Sequence, residues 1–203
     1  DLTSNAGHVL FTGIASSARA ARVAKRLMSR EFFTGWGIRT VGTQEARYNP
    51  TSYHNGSVWP HDNALIALGL AKYGHSRPVA RIMTALFDAA AHMDLRRLPE
   101  LFCGMPRRRD KGPILYPVAC VPQAWAAAAP LALLQACLGL EIDASARVLR
   151  LRHPYLPELL ESVRIDGLQV GASRLDLLFR RHGEDVAVNV LHREGNAEVE
   201  VRL

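Results

Sequence analysis

Residues 122–152 read PQAWAAAAPLALLQACLGLEIDASARVLRLR, and within this stretch the chain changes its period. As far as Leu140 the residues are almost all apolar, which predicts a helix buried on most of its sides. Pro130 is expected to kink that helix or break it near its middle. From Arg147 to Arg152 the order is Val-Leu-Arg-Leu between arginines, the two-residue alternation of a strand. The switch divides the chain near residue 142, into residues 1–141 and a β-rich appendage over residues 142–203.

Upstream of the switch the apolar spacing is helical. Residues 16–29 are alanine-rich and studded with arginine, with little to break a helix. Residues 62–73 (DNALIALGLAKY) open on a capping aspartate and stop at Gly74. Residues 76–93 open on serine, with Pro78 in the first turn, where proline is tolerated. Downstream, residues 147–152, 162–170, 174–181, 185–191 and 197–203 read as strands. Turns containing Asp166-Gly167, His182-Gly183 and Glu194-Gly195-Asn196 are expected between several of them. The expected fold is therefore mainly α, with a small C-terminal antiparallel β-unit.

The 203 residues are 48% hydrophobic and 22% charged, a globular make-up that excludes collagen-like, low-complexity and disordered chains. The longest unbroken apolar stretch, Ala124 to Leu134, carries a proline and falls short of the roughly 18 residues of a membrane span, so no membrane partner is expected. Lys and Arg number 25 against 19 Asp and Glu, a net charge of +6. Nucleic-acid binding would want such charge clustered among stacking aromatic residues. The only dense run is Arg107-Arg108-Arg109-Asp110-Lys111, so a solvated arginine-rich surface and no nucleic-acid partner are expected. Cys103, Cys120 and Cys137 form no CxxC pair and are odd in number, as in a reduced, cytoplasmic protein. The start, Asp1-Leu2-Thr3-Ser4-Asn5, has neither a methionine nor the features of a signal peptide, and reads as cut from a longer polypeptide.

Two long connections, residues 31–61 and 95–121, hold most of the Trp, Tyr, Gly, Pro and His, and connections of this length are usually functional. The first carries Trp36, Arg39, Tyr53, His54, Asn55, Trp59 and His61. Aromatic rings beside amide, imidazole and guanidinium groups suit a sugar, whose apolar face lies on a ring while its hydroxyls need paired donors and acceptors. The same residues would equally serve as loop anchors, with Trp36 and Trp59 in the core. His54, His61 and Asp62 fit no zinc spacing, and no metal is expected. In the second connection Glu100 stands between Leu98-Pro99 and Leu101-Phe102. Either it is desolvated and raised in pKa, as suits proton transfer, or it is an exposed turn glutamate. No serine or cysteine nucleophile motif, Walker loop or GxGxxG turn is present.

Three motifs then stand in order: Tyr-His-Asn-Gly-Ser-Val-Trp-Pro at 53–60, Leu-Pro-Glu-Leu at 98–101 and Tyr-Pro-Val-Ala-Cys-Val-Pro-Gln-Ala-Trp at 116–125. Together they resemble the C-terminal part of amylo-α-1,6-glucosidases, the glucosidase half of glycogen debranching enzymes, over about residues 4–140. The resemblance implies part of an (α/α)6 toroid and hydrolysis of α-1,6-glucosidic branch points with inversion, without a cofactor. It implies that Glu100 is the general base. Tyr53, His54, Asn55, Trp59, Gln123 and Trp125 would line or support the pocket of the terminal glucose, with Trp36 and Arg39 as further walls. The family's general acid lies in an Asn-Gln-Gly-Trp-Lys-Asp motif that is absent here. It is therefore expected from a missing N-terminal part of the same polypeptide. Toroid glycosidases of trehalose or mannosylglycerate type, and a non-catalytic carbohydrate-binding module, remain the alternatives.

Overall fold

A computed structural model describes residues 1–202; Leu203, the last residue of the expected final strand, lies outside the described residues. The chain is built of two compact units, Asp1–Leu134 and the remainder from Gln135. It carries α1 (Asn5–Thr12), α2 (Ser17–Leu27), α3 (Pro60–Lys72), α4 (Ser76–Ala90) and α5 (Ala124–Leu138). These are followed by β1 (Leu140–Asp143), β2 (Val148–Arg152), β3 (Ser162–Val170), β4 (Ser173–His182), β5 (Asp185–Glu194) and β6 (Glu198–Arg202).

The first unit is organised around α3, which buries Ala64, Ile66, Ala67, Gly69 and Leu70. Small residues let α1 lie directly on it. A Cβ on Gly69 would stand 2.6 Å from the Phe11 nitrogen, and one on Gly7 would stand 2.6 Å from Ile66. The helix ends where the sequence says it should. Gly74 takes φ +74°, and the His75 N–H reaches back to the Leu70 carbonyl at 3.1 Å. Helix α2 starts at Ser16, whose Oγ accepts the Arg19 N–H. Helix α1 was not expected. It has a glycine in its first turn and no side-chain cap, and it is held by its contact with α3.

A mainly α chain is not what forms: 32% of the chain is helical and 25% extended, and the extended part includes two small sheets. In the order β1-β2-β6, β1 pairs antiparallel with β2 while β6 runs parallel to it, Val148 opposite Glu198. In the order β3-β4-β5 all pairs are antiparallel. The single antiparallel unit expected is thus two sheets, because β6 returns beside β2 after the β3-β4-β5 meander. Asp166-Gly167 is not a turn either. It is a bulge inside β3, where Gly167 (φ +69°) donates its N–H to Asp176 Oδ1 at 2.7 Å. Helix α5 runs unbroken across Pro130. Among the described residues no helix is long and apolar enough to cross a membrane.

Candidate active site

The two long connections of the first unit are stitched into an irregular extended array. Arg39 bridges to Val58, Val58 to Phe102, and Phe102 to Leu115, each antiparallel. Val58 and Phe102 exchange both main-chain hydrogen bonds, at 2.9 and 3.0 Å. Gly104 passes so close to Gly56 that a Cβ on it would overlap the Gly56 carbonyl oxygen, so only glycine fits there. Asn63, fully buried on α3, pins the array down. Its Oδ1 accepts the Ile38 N–H at 2.7 Å, and its Nδ2 donates to the carbonyls of Ile38 and Trp59, each at 2.9 Å.

The array brings Glu100 against Tyr53, 47 residues away in sequence. The Tyr53 hydroxyl donates to Glu100 Oε1 at 2.6 Å, and the Cys120 N–H donates to Oε2 at 3.2 Å. The Glu100 N–H is in turn given to the Cys120 carbonyl at 3.0 Å. The tyrosine hydroxyl, then the main-chain donor, hold the Glu100 carboxyl below its ordinary value, against a smaller opposing effect of burial. Neither alternative left open by the sequence forms: the carboxyl is not raised, and Glu100 is buried rather than an exposed turn residue. Its apolar neighbours shape the bend, while the polar donors that face the carboxylate come from elsewhere in the chain. The same bond pushes Tyr53 up to about 12, so it stays a donor at neutral pH.

Around this pair lies a run of ring contacts. Tyr53 meets Trp59 edge-on at 4.9 Å and Tyr116 at 5.5 Å. His54 stacks parallel to Trp59 at 5.7 Å, and His61 bridges Trp59 and Trp125 at 5.5 and 4.7 Å. Trp59 Nε1 donates to Ser57 Oγ, which donates to the Tyr53 carbonyl, so the rings stand on a buried polar strut. Trp125 is 63% exposed, an indole presented to solvent. His61 is half-buried with Nδ1 unpartnered, and burial pushes its pKa down. Asp62, in the first turn of α3, lies with Oδ1 3.4 Å from His8 Nε2.

Of the residues singled out from sequence, Tyr53, His54, Trp59, Glu100 and Trp125 are joined in this one network. Asn55 is exposed beside it and gives its carbonyl to the Asn49 N–H. Gln123 has its Oε1 buried without a partner just before α5. Trp36 and Arg39 have no ring contact or hydrogen bond to the network. Arg39 is 1% exposed, with its guanidinium 5.5 Å from the Tyr48 ring centre and Nη1 on the Glu31 carbonyl at 3.4 Å. Trp36 is 2% exposed, edge-on to His92, with the Arg107 guanidinium 4.2 Å above its ring. It lines a separate cleft of about 750 Å³ with Arg81 and the 107–111 run. Tyr116 and Asn63 were missed as site residues, and His61, noted in the first connection and set aside as a metal ligand, was not carried into the expected pocket. The one signal for Asn63 was an amide set within the apolar stripe of a helix. Among the described residues no group of three or more His, Cys, Asp or Glu side chains is placed to hold a metal ion.

Residues 4–102, just under half of the chain, match the family model of the mannosylglycerate hydrolase MGH1-like glycoside hydrolase domain. No curated protein matches the chain. The match supports a glycosidase without specifying the debranching bond. The matched segment contains Tyr53, Trp59, His61 and Glu100, whereas Tyr116, Cys120 and Trp125 lie beyond its end.

Proposed function

We propose that this chain carries the base side of an inverting glycosidase site, with Glu100 as general base. The observation behind the reading is the Glu100 carboxylate itself, kept ionised by Tyr53 and Cys120 and flanked by sugar-sized aromatic surface. A carboxylate offers about four lone-pair sites, and two are taken here, so a water molecule has somewhere to dock. Glu100 then takes the proton of that water as its oxygen attacks the anomeric carbon, and the bond to the departing oxygen breaks on the opposite face. Tyr53, Trp59 and the exposed Trp125 supply the apolar platform for the ring, with His54, Asn55 and Gln123 as polar neighbours. The proton for the departing oxygen comes from a carboxylic acid outside this chain, because the Asn-Gln-Gly-Trp-Lys-Asp motif that carries it in the resembled family is absent here.

The substrate we favour is an α-1,6-linked glucose at a branch of a glycogen-like glucan, on the strength of the three ordered motifs. The family match favours a second reading, a mannosylglycerate-type glycoside. A glycosyl fluoride tests the base alone, because fluoride departs without being protonated. The chain should hydrolyse α-glucosyl fluoride with first release of β-glucose, followed by NMR. A preference for α-mannosyl fluoride would move the substrate to the second reading. Binding of both sugars with no hydrolysis of either fluoride would make the chain a carbohydrate-binding module.

A further inference from the structure

The cleft beside Trp36 is built from parts that the glycosidase reading does not use. Five cations line it, Arg81, Arg107, Arg108, Arg109 and Lys111, against one carboxylate, Asp110. The chain's whole excess of positive charge is only +6, so much of it is gathered at this one place. Arg107 is held rigidly. Its N–H donates to the Thr34 carbonyl at 2.7 Å, and Gly35 (φ +93°) lies so close that a Cβ there would meet the Arg107 Cβ at 2.7 Å. Its guanidinium rests over Trp36, and Nη1 donates to Asp88 Oδ2 at 2.5 Å. One of five N–H donors is thereby used; the others have no protein acceptor among the described residues. Arg81 is oriented in the same way, its guanidinium 4.4 Å over the Phe33 ring. Neither it nor Arg108 nor Lys111 has a carboxylate partner among the described residues. Guanidinium forks fixed on aromatic faces are pre-organised to hold phosphate oxygens in pairs. A volume of about 750 Å³ exceeds what a bare phosphate needs and suits a small sugar attached to one.

We infer that this cleft binds a phosphorylated sugar, the phosphate on the Arg81–Arg107 forks and the sugar in the remaining volume of the cleft. The excess of five cations over two carboxylates, Asp110 in the lining and Asp88 on Arg107, favours a dianion over a singly charged uronic acid. The inference is independent of the role of Glu100.

Calorimetric titration of the chain tests it, with glucose 6-phosphate, inorganic phosphate, glucuronate, glucose and a short DNA duplex as probes. Glucose 6-phosphate is expected to bind at least fivefold more tightly than inorganic phosphate or glucuronate, and glucose not measurably. The exposed triple variant Arg108→Gln/Arg109→Gln/Lys111→Gln should lose at least tenfold in that affinity. Arg107→Lys, which keeps the charge and removes the fork, should lose several-fold. The same three-charge change placed at Arg174, Arg180 and Arg193 in the second unit should leave the affinity unaltered. Equal binding of inorganic phosphate or glucuronate, full affinity in the triple variant, or equal loss in the distant variant would each overturn the proposal. So would a DNA affinity that exceeds that of glucose 6-phosphate and collapses with salt, which marks a polyelectrolyte surface.

Discussion

Two tryptophans, Trp59 and Trp36, stand in neighbouring parts of the same extended array, and each meets a histidine ring edge-on. Beside Trp59 the array places a carboxylate under two donors; over Trp36 it places a guanidinium with donors to spare. The aromatic groundwork is alike and the chemistry is opposite. What distinguishes them is one charged side chain brought in from far along the chain, 47 residues from Tyr53 to Glu100 and 71 from Trp36 to Arg107. A ring by itself offers a sugar a surface; the charge set against it decides what is done there.

That contrast can be broken most sharply at Glu100. Replacing it with glutamine should lower α-glucosyl fluoride hydrolysis by about 10²- to 10⁴-fold, the range for loss of a general base. Near-normal turnover would leave the Trp59 cluster a binding surface only. Next comes Asn63, whose three hydrogen bonds fasten the array to α3. Asn63→Ala should cost about 2–4 kcal/mol in urea unfolding, since it strands buried main-chain groups. It should also weaken both clusters together, and an effect confined to one would show that the array is not a shared support.

A finer probe is Tyr53→Phe. Removing the hydroxyl takes away the largest influence holding the Glu100 carboxyl down, so its pKa should rise. The acid limb of the pH–rate profile should then move to higher pH. An unchanged acid limb would mean that the Tyr53 bond does not govern the base. The smallest effect is expected at the His8–Asp62 pair, where the aspartate raises the histidine above its ordinary 6.5. A raised histidine stabilises the fold while protonated, so the contribution is whole below about 6.5 and fades as pH climbs through the raised value. Both groups are partly exposed, so His8→Ala should cost less than about 1 kcal/mol. The cost should shrink further at alkaline pH, which unfolding curves at two pH values would show.

Much of the molecule was legible from local rules. The helices expected over residues 62–73 and 76–93 form as α3 and α4 with ends shifted by up to three residues, and the Gly74 stop is where a left-handed residue was required. Period-two runs located five strands, because alternation over five or more residues is a strong signal. Helix α1 escaped, since a short segment with Gly7 has little helical preference of its own and depends on α3. The parallel pairing of β6 with β2 escaped as well, because alternation says which face a residue takes and nothing about which strand lies alongside. The site was half legible. Motif order brought Tyr53, Trp59 and Glu100 forward, while the sequence neighbours of Glu100 left open a raised carboxyl or an exposed turn glutamate, and neither is what forms.

By itself the sequence determined the elements with a strong period, their glycine stops and the inventory of rings and charges in the two long connections. Those properties are local, set by backbone sterics and by side chains a few residues apart. Only the tertiary structure decided which charge meets which ring: that Tyr53 donates to the Glu100 carboxylate, that Arg107 covers Trp36, and that Arg39 is packed away against Tyr48. Hydrogen bonds and ring contacts act over a few ångströms in space, and the chain's order does not say which distant residues will come within that reach.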